Sequence, residues 1–249
     1  MCIVAIAHQA SNRYPLIVAA NRDERHARPS AAAQWWRSPE APETAPGSLL
    51  AGRDLAAGGT WLGVTGSGRF AAVTNIFEPG AAPAERSRGE LVSRFLGSTA
   101  TASDYAETVA ESGARYGPFN LVLRSDDELH FVSNRNASTS LAAGIHVFSN
   151  NAPGLQWAKV GVLADAIESA SHRDDLQAYL IETLSSPKAR GPIDQAAESL
   201  FVVGEEFGTR CTTVLTVDGK GHAALVEQRF SAGGETAGRS EFVFDVVGP

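Results

Sequence analysis

Short apolar runs come in pairs along this chain, and tight-turn residues join the members of each pair. Cys2–His8 and Leu16–Ala20 flank Ser11-Asn12-Arg13, and Thr60–Val64 and Phe70–Thr74 flank Gly66-Ser67-Gly68. Asn120–Arg124 and Leu129–Ser133 flank Asp126-Asp127, and Thr212–Val217 and Ala223–Arg229 flank Asp218-Gly219-Lys220-Gly221. Runs of this length, bounded in this way, read as β-hairpins, so the sheets are antiparallel. Gly144–Ser149 and Glu241–Val246 add further strands. Gly89–Leu96, Ser103–Tyr116, Gln156–Ala170, Asp174–Leu184 and Asp194–Phe201 read as helices. His26–Gly47 carries Pro29, Pro39, Pro42 and Pro46 and reads as a long loop. Strand pairs therefore alternate with helices, and two central sheets with helices outside would cover every apolar face. No repeat and no interior linker interrupts the 249 residues, so residues 1–249 are expected to form a single α+β layered domain.

With 43% apolar residues, a chain of this length buries enough surface to need no disulfide or metal staple. Acidic residues outnumber basic ones, 28 to 21, for a net charge of −7, which argues against a nucleic-acid partner. No run of about 18 apolar residues predicts a membrane-spanning helix. The start, Met1-Cys2-Ile3-Val4-Ala5-Ile6-Ala7-His8, lacks a basic n-region and a small-residue cleavage site, so a cytoplasmic location is expected. Two cysteines, Cys2 and Cys211, are too few for a disulfide framework or a thiolate zinc site. The six histidines have no pairwise zinc spacing, so no metal is expected.

The first hairpin brings chemistry to the start of the chain. If its turn centres near Asn12, paired positions sum to about 24, and Cys2 lies opposite Arg22. Asn21-Arg22-Asp23-Glu24, polar residues ending an apolar strand, then sit beside the chain start and need partners there. Met1 precedes a small residue, and its removal would leave Cys2 with a free α-amine. A thiol and an amine in one residue combine nucleophile and base, and an amine pKa of about 8 suits proton abstraction near neutrality. The alternative is a small hydrophobe opening a buried strand, and a solvated strand end beside it.

Gly66-Ser67-Gly68-Arg69-Phe70-Ala71 matches a dinucleotide fingerprint, but it lies between two strands with no helix after it and reads as a turn. Gly58-Gly59-Thr60 lacks the lysine and helix of a phosphate loop.

The opening Met1-Cys2-Ile3 and the run Pro15-Leu16-Ile17-Val18-Ala19-Ala20-Asn21-Arg22-Asp23-Glu24 resemble the NRDE family, which includes the transport and Golgi organisation protein 2 relatives. Further blocks follow in order: Gly52-Arg53-Asp54-Leu55, Gly58-Gly59-Thr60-Trp61-Leu62-Gly63 and Gly68-Arg69-Phe70-Ala71-Ala72-Val73-Thr74-Asn75. Ser87-Arg88-Gly89-Glu90-Leu91-Val92, Phe119-Asn120-Leu121, Phe148-Ser149-Asn150 with Trp157-Ala158-Lys159, and Phe207-Gly208-Thr209-Arg210 complete the pattern.

The family is similar to the cysteine N-terminal-nucleophile hydrolases, including penicillin V acylases and bile salt hydrolases. That resemblance implies a four-layer αββα sandwich of two mainly antiparallel sheets. It also implies hydrolysis of carboxamides other than ordinary peptide bonds, with no cofactor required. Cys2, Asp23, Asn75, Asn150 and Arg210 fit the places of the family's site residues. The arginine of the hydrolases' Arg-Asn-x-Asp element is replaced by Ala20, with Arg22 two positions on.

In chemical terms, Asp23 could orient the amine of Cys2, and Arg210 and Arg22 could stabilise its thiolate. Asn75 and Asn150 could donate to an oxyanion. Each has a plainer role open to it: Asn75 and Asn150 could serve strand-end and turn backbone, and Arg210 could be a buried ion-pair partner of Asp23. Relatives linked to haem trafficking and to lipid or acyl-CoA metabolism imply a second function. In it, the same cleft binds haem or an acylated ligand without turnover.

Overall fold

The computed structural model describes residues 2–36, 48–81, 83–150, 157–195 and 198–247. In chain order the first strands are β1 (Ile3–His8), β2 (Leu16–Arg25), β3 (Ser30–Trp36), β4 (Leu49–Asp54), β5 (Leu62–Thr65) and β6 (Phe70–Asn75). Next come β7 (Phe119–Ser125), β8 (Glu128–Ser133), β9 (Thr139–Leu141) and β10 (Gly144–Ser149). The last are β11 (Arg190–Gly191), β12 (Phe201–Val202), β13 (Phe207–Val217), β14 (His222–Phe230) and β15 (Thr236–Asp245). The α-helices are α1 (Gly89–Leu96), α2 (Ala102–Ser112), α3 (Ala158–Ala170) and α4 (Leu176–Ser185).

The chain divides into two compact units. The first takes its described residues from Met1–Arg28, Ala143–Ser149 and Leu155–Val243, and the second from Pro29–Ala142, Asn150–Gly154 and Phe244–Pro249. The first unit is built on a six-stranded sheet in the order β10-β1-β2-β13-β14-β15. Its hairpin register pairs Ile3 with Asn21 and Val4 with Ala20, as a turn near Asn12 dictates. Every residue of β1 is buried, which is why its sequence is a continuous apolar run rather than an alternating one. Ile3, Ala5, Ala7, Ile17, Ala19, Val214 and Val226 form one face of this sheet and pack against Leu163, Ile167, Leu176, Leu180 and Leu184 of α3 and α4.

The second unit holds a seven-stranded antiparallel sheet in the order β3 to β9. Its core joins Ala71, Val73, Leu121 and Leu123 to Leu91, Val92, Phe95 and Leu96 of α1 and to Ala102, Ala106 and Val109 of α2. Thr101 caps α2 by accepting the Asp104 N–H at 3.1 Å. Both glycine-rich motifs serve backbone packing. Gly68 turns the β5–β6 hairpin with φ +78°, and Gly59 lies so close to Gly89 that a Cβ would sit 2.5 Å from its carbonyl carbon. The fold class is α+β, with two mainly antiparallel sheets and their helices.

Two stretches differ from expectation. Ser30–Trp36, within the expected loop, is strand β3, paired along β4 with a register shift between Ala31 and Gln34. Strand formation buries Ala33 and lets Trp36 Nε1 donate to the Ala51 carbonyl at 3.0 Å. Residues 37–47 of the same stretch lie outside the described residues. Within the expected helix Asp194–Phe201, only Ile193–Gln195 forms a single 3₁₀ turn, and Phe201 begins β12, which runs parallel to β11. Phe201 is fully buried against Phe230, ring centroids 4.7 Å apart, and that contact draws the segment into strand.

Candidate active site

The polar end of β2 resolves into separate duties. Asn21 points to the helical face, donating from Nδ2 to the Leu184 and Leu200 carbonyls at 3.0 and 2.8 Å and accepting from Thr212 Oγ1 at 2.6 Å. Its hydrogen bonds tie β2 and β13 to the α4 layer. Glu24 faces Arg28 at 3.9 Å. Arg22 and Asp23 are 5% and 4% exposed and flank the start of the chain.

Side chains alternate across a strand, so this register sorts the site onto two faces. Cys2, one residue before β1, continues the register to lie opposite Arg22, and Arg22 lies opposite Cys211, which lies opposite Arg229. This row occupies the face turned away from α3 and α4. The Cys2 sulfur makes a long S–H···O contact of 3.8 Å to the Asp23 carbonyl. Cys2 is half-buried. Burial pushes its thiol up, and the Asp23 charge adds to that, while Arg22 draws it down.

Cys211 is buried, and its thiol is pushed well up by burial and then by Glu227. With β2 between them, Cys2 and Cys211 stand two strand spacings apart, about 9–10 Å. A disulfide closes only across about 7 Å or less. Cys211 is therefore an inert core thiol.

Asp23 turns to the opposite, helical face. Its Oδ1 accepts from Thr209 Oγ1 at 2.6 Å, and Thr209 in turn accepts the Val202 N–H at 2.9 Å. Burial pushes the Asp23 carboxyl up, against the Thr209 hydrogen bond and the charge of Lys159. Lys159, in the first turn of α3, is 0% exposed. Burial draws its ammonium down, opposed by Asp23 and then Cys2. Thr209 and Lys159 were not singled out as site residues from the sequence, although both lie inside the family blocks Phe207-Gly208-Thr209-Arg210 and Trp157-Ala158-Lys159, which were the one signal that could have found them.

Arg210 occupies the register shift between Thr209 and Cys211. Its Nη1 donates to the carbonyls of Arg25, His26 and Arg28 at 3.0, 3.1 and 3.2 Å, clamping the chain that leaves β2.

Asn75 and Asn150 belong to the second unit. Asn75 ends β6, paired with Phe119. Two residues later the Phe77 N–H donates to the Asn150 carbonyl at 3.0 Å, which brings the two asparagine segments together. Asn150 is 4% exposed, and its side-chain Oδ1 has no hydrogen-bond partner among the described residues.

A groove of about 430 Å³ in the first unit is lined by Tyr14, Asp174, Gln177, Asp218, His222 and Arg239 among others, and by none of the candidate site residues. Among the described residues no group of three or more His, Cys, Asp or Glu side chains could hold a metal ion, and no helix is long and apolar enough to cross a membrane.

The chain is 32% identical over 263 residues to a Transport and Golgi organization protein 2 homolog of Bos taurus, with 92% of each chain covered. It is 30% identical over 262 residues to the Homo sapiens homolog, again with 92% of each covered. Among solved structures it is similar to a Caenorhabditis elegans N-acylethanolamine-hydrolyzing acid amidase ortholog, with a TM-score of 0.57 and 11% identity. That likeness covers 86% of this chain and 92% of the amidase, and it shows a shared fold. The family described as Transport and Golgi organisation 2 matches residues 1–232, and the chain belongs to it.

Proposed function

We propose that the protein hydrolyses a small non-peptide carboxamide through an acyl-enzyme on Cys2. The observation that carries this reading is the placement of the Cys2 sulfur on the Asp23 carbonyl, beside buried Arg22, at the polar end of an apolar sheet. The fold shared with an amidase supports the same reaction class.

The reading requires that Met1 be removed. The free amine of Cys2 then takes the thiol proton as sulfur attacks the carbonyl carbon. Asp23 orients that amine, and Arg22 favours the thiolate. The tetrahedral oxyanion requires hydrogen-bond donors, each worth about 3–4 kcal/mol when removed. Collapse breaks the C–N bond, the ammonium returns its proton to the leaving nitrogen, and a thioester remains on Cys2. The same amine deprotonates water, which attacks the thioester and releases the acid and the thiol. Arg210 holds the chain after β2 against the site and adds positive charge to it.

The test combines intact mass with covalent labelling. Protein made in cells should lack Met1 and should take one equivalent of a β-lactone probe on Cys2. Cys2→Ala should take none and should hydrolyse no amide found by a substrate screen. A mass equal to the full 249-residue chain overturns the free-amine mechanism. A Soret shift on adding haem, with no labelling in either protein, instead supports a ligand-binding protein that performs no turnover.

A further inference from the structure

Lys159 sits where an ordinary lysine does not. It continues the apolar stripe of α3, one turn before Leu163, so its side chain enters the core with Leu163, Ala166, Ile167 and Ala170. It is 0% exposed, and its Nζ has no hydrogen-bond partner among the described residues. The ring of Trp157 lies 4.9 Å from Nζ and covers one side of it. Lysine is almost never fully buried without a partner, because an unpaired ammonium loses its hydration. The helix does not recommend the position either, since a cation in the first turn faces the positive end of the macrodipole. A negative group on the facing sheet keeps such an ammonium charged, and the sheet supplies one. Asp23 is on the same face as α3, because its odd-numbered neighbours Ile17 and Ala19 pack in that core and Asn21 bonds to the Leu184 carbonyl.

We propose that Lys159 is a positioning residue for the Cys2 site: from behind the sheet it holds Asp23 as a carboxylate, so that Asp23 can anchor an ammonium at the start of β1. The proposal rests on the reading of Cys2 as a nucleophile but concerns only the charge of the group that would orient its amine. The Thr209 hydroxyl bonds Asp23 Oδ1, and the Lys159 charge acts on the same carboxylate at longer range. The charged groups that reach Lys159 are Asp23 and Cys2. From the packed elements, His8 of β1 and His146 of β10 pair with Leu16 and Ile6 respectively and point to the other face of the sheet. Asp165 and Glu168 lie further along α3, and Glu182 of α4 is exposed.

The experiment reads Asp23 itself. Full-length protein carrying [¹³C]carboxyl aspartate is titrated by NMR, and the Asp23 signal is assigned by its loss in Asp23→Asn. Lys159→Met should move the Asp23 midpoint upward by about one pH unit or more. Lys159→Arg keeps a cation that cannot lose its proton, so its midpoint should stay at or below that of wild type. If Lys159→Met fails to fold, the Arg variant still tests the proposal, because a midpoint well above wild type would overturn it. Coincident titrations of wild type and Lys159→Met also overturn it. Neither measurement needs amide turnover or removal of Met1. An inactive protein with a shifted Asp23 therefore rejects the amidohydrolase and keeps the lysine, and the converse result does the opposite.

Discussion

Thr209 is the simplest place to perturb the site without touching its reacting atoms. Its hydroxyl is 1% exposed and spans two buried groups, donating to Asp23 Oδ1 at 2.6 Å and accepting from the Val202 N–H at 2.9 Å. Thr209→Val keeps the shape and deletes both hydrogen bonds. Each buried group left unsatisfied costs about 1–3 kcal/mol, so the variant should lose about 2–6 kcal/mol. For a chain of this size that is a fall of about 4–24 °C in Tm. Thr209→Ser keeps the hydroxyl and loses one methyl, at about 1 kcal/mol. Thermal unfolding of the three proteins should therefore rank wild type, Ser and Val, with most of the loss in the last step.

The loss should also depend on pH, and its sign is fixed. Burial raises the native Asp23 carboxyl above its ordinary 3.8. Its contribution to stability is therefore full below the unfolded value and is lost as pH rises through the folded one. The Thr209 hydroxyl limits that loss by binding the ionised form. The Val penalty should accordingly be larger at neutral pH than below about pH 4. A Val variant within about 0.5 kcal/mol of wild type, or a Ser variant as damaged as Val, would refute the assignment of Thr209 as the link between Asp23 and β12.

In the second unit, a Cβ at Gly59 would meet the backbone of Gly89 and Glu90 at 2.5 to 2.9 Å, whereas Gly58 has open space and φ +80°. In urea unfolding, Gly59→Ala should cost about 3 kcal/mol and Gly58→Ala about 1–2, and the reverse order would sink the packing account. At the β13–β14 turn, the His222 ring 2.9 Å from Asp218 Oδ2 holds that carboxyl at about 2. Its stabilising contribution is present above the unfolded value of 3.8 and is lost as pH falls through about 2. His222→Ala should raise the Asp218 midpoint measured by NMR, and an unmoved midpoint would assign the shift to the backbone N–H bonds of the turn instead.

What could be read in advance was what depends on local chemistry. The β1–β2 register followed from a turn centred near Asn12, and a one-residue slip from it would take Ile3, Ala5 and Ala7 off the helical face. The same arithmetic brought Arg22 and Asp23 to the chain start. Strand β3 was illegible because prolines and alanines dominate its surroundings, and its cause, a partner in β4, lies elsewhere in the chain. Asp194–Phe201 showed helical composition, but Phe201 answers to Phe230 across 29 residues.

The destination of Arg210 was equally hidden, since a register shift in β13 decides which way it points. Lysine 159 is the sharpest case. In sequence it is a charge at the start of a helix, where solvent is the ordinary expectation. Only the alignment of position 159 with Leu163, Ala166 and Ile167, seen once α3 lies on the sheet, puts it inside. A residue that breaks the local rule, with no gain to its own helix, must be held by a distant group, and here that group is the aspartate beside Cys2.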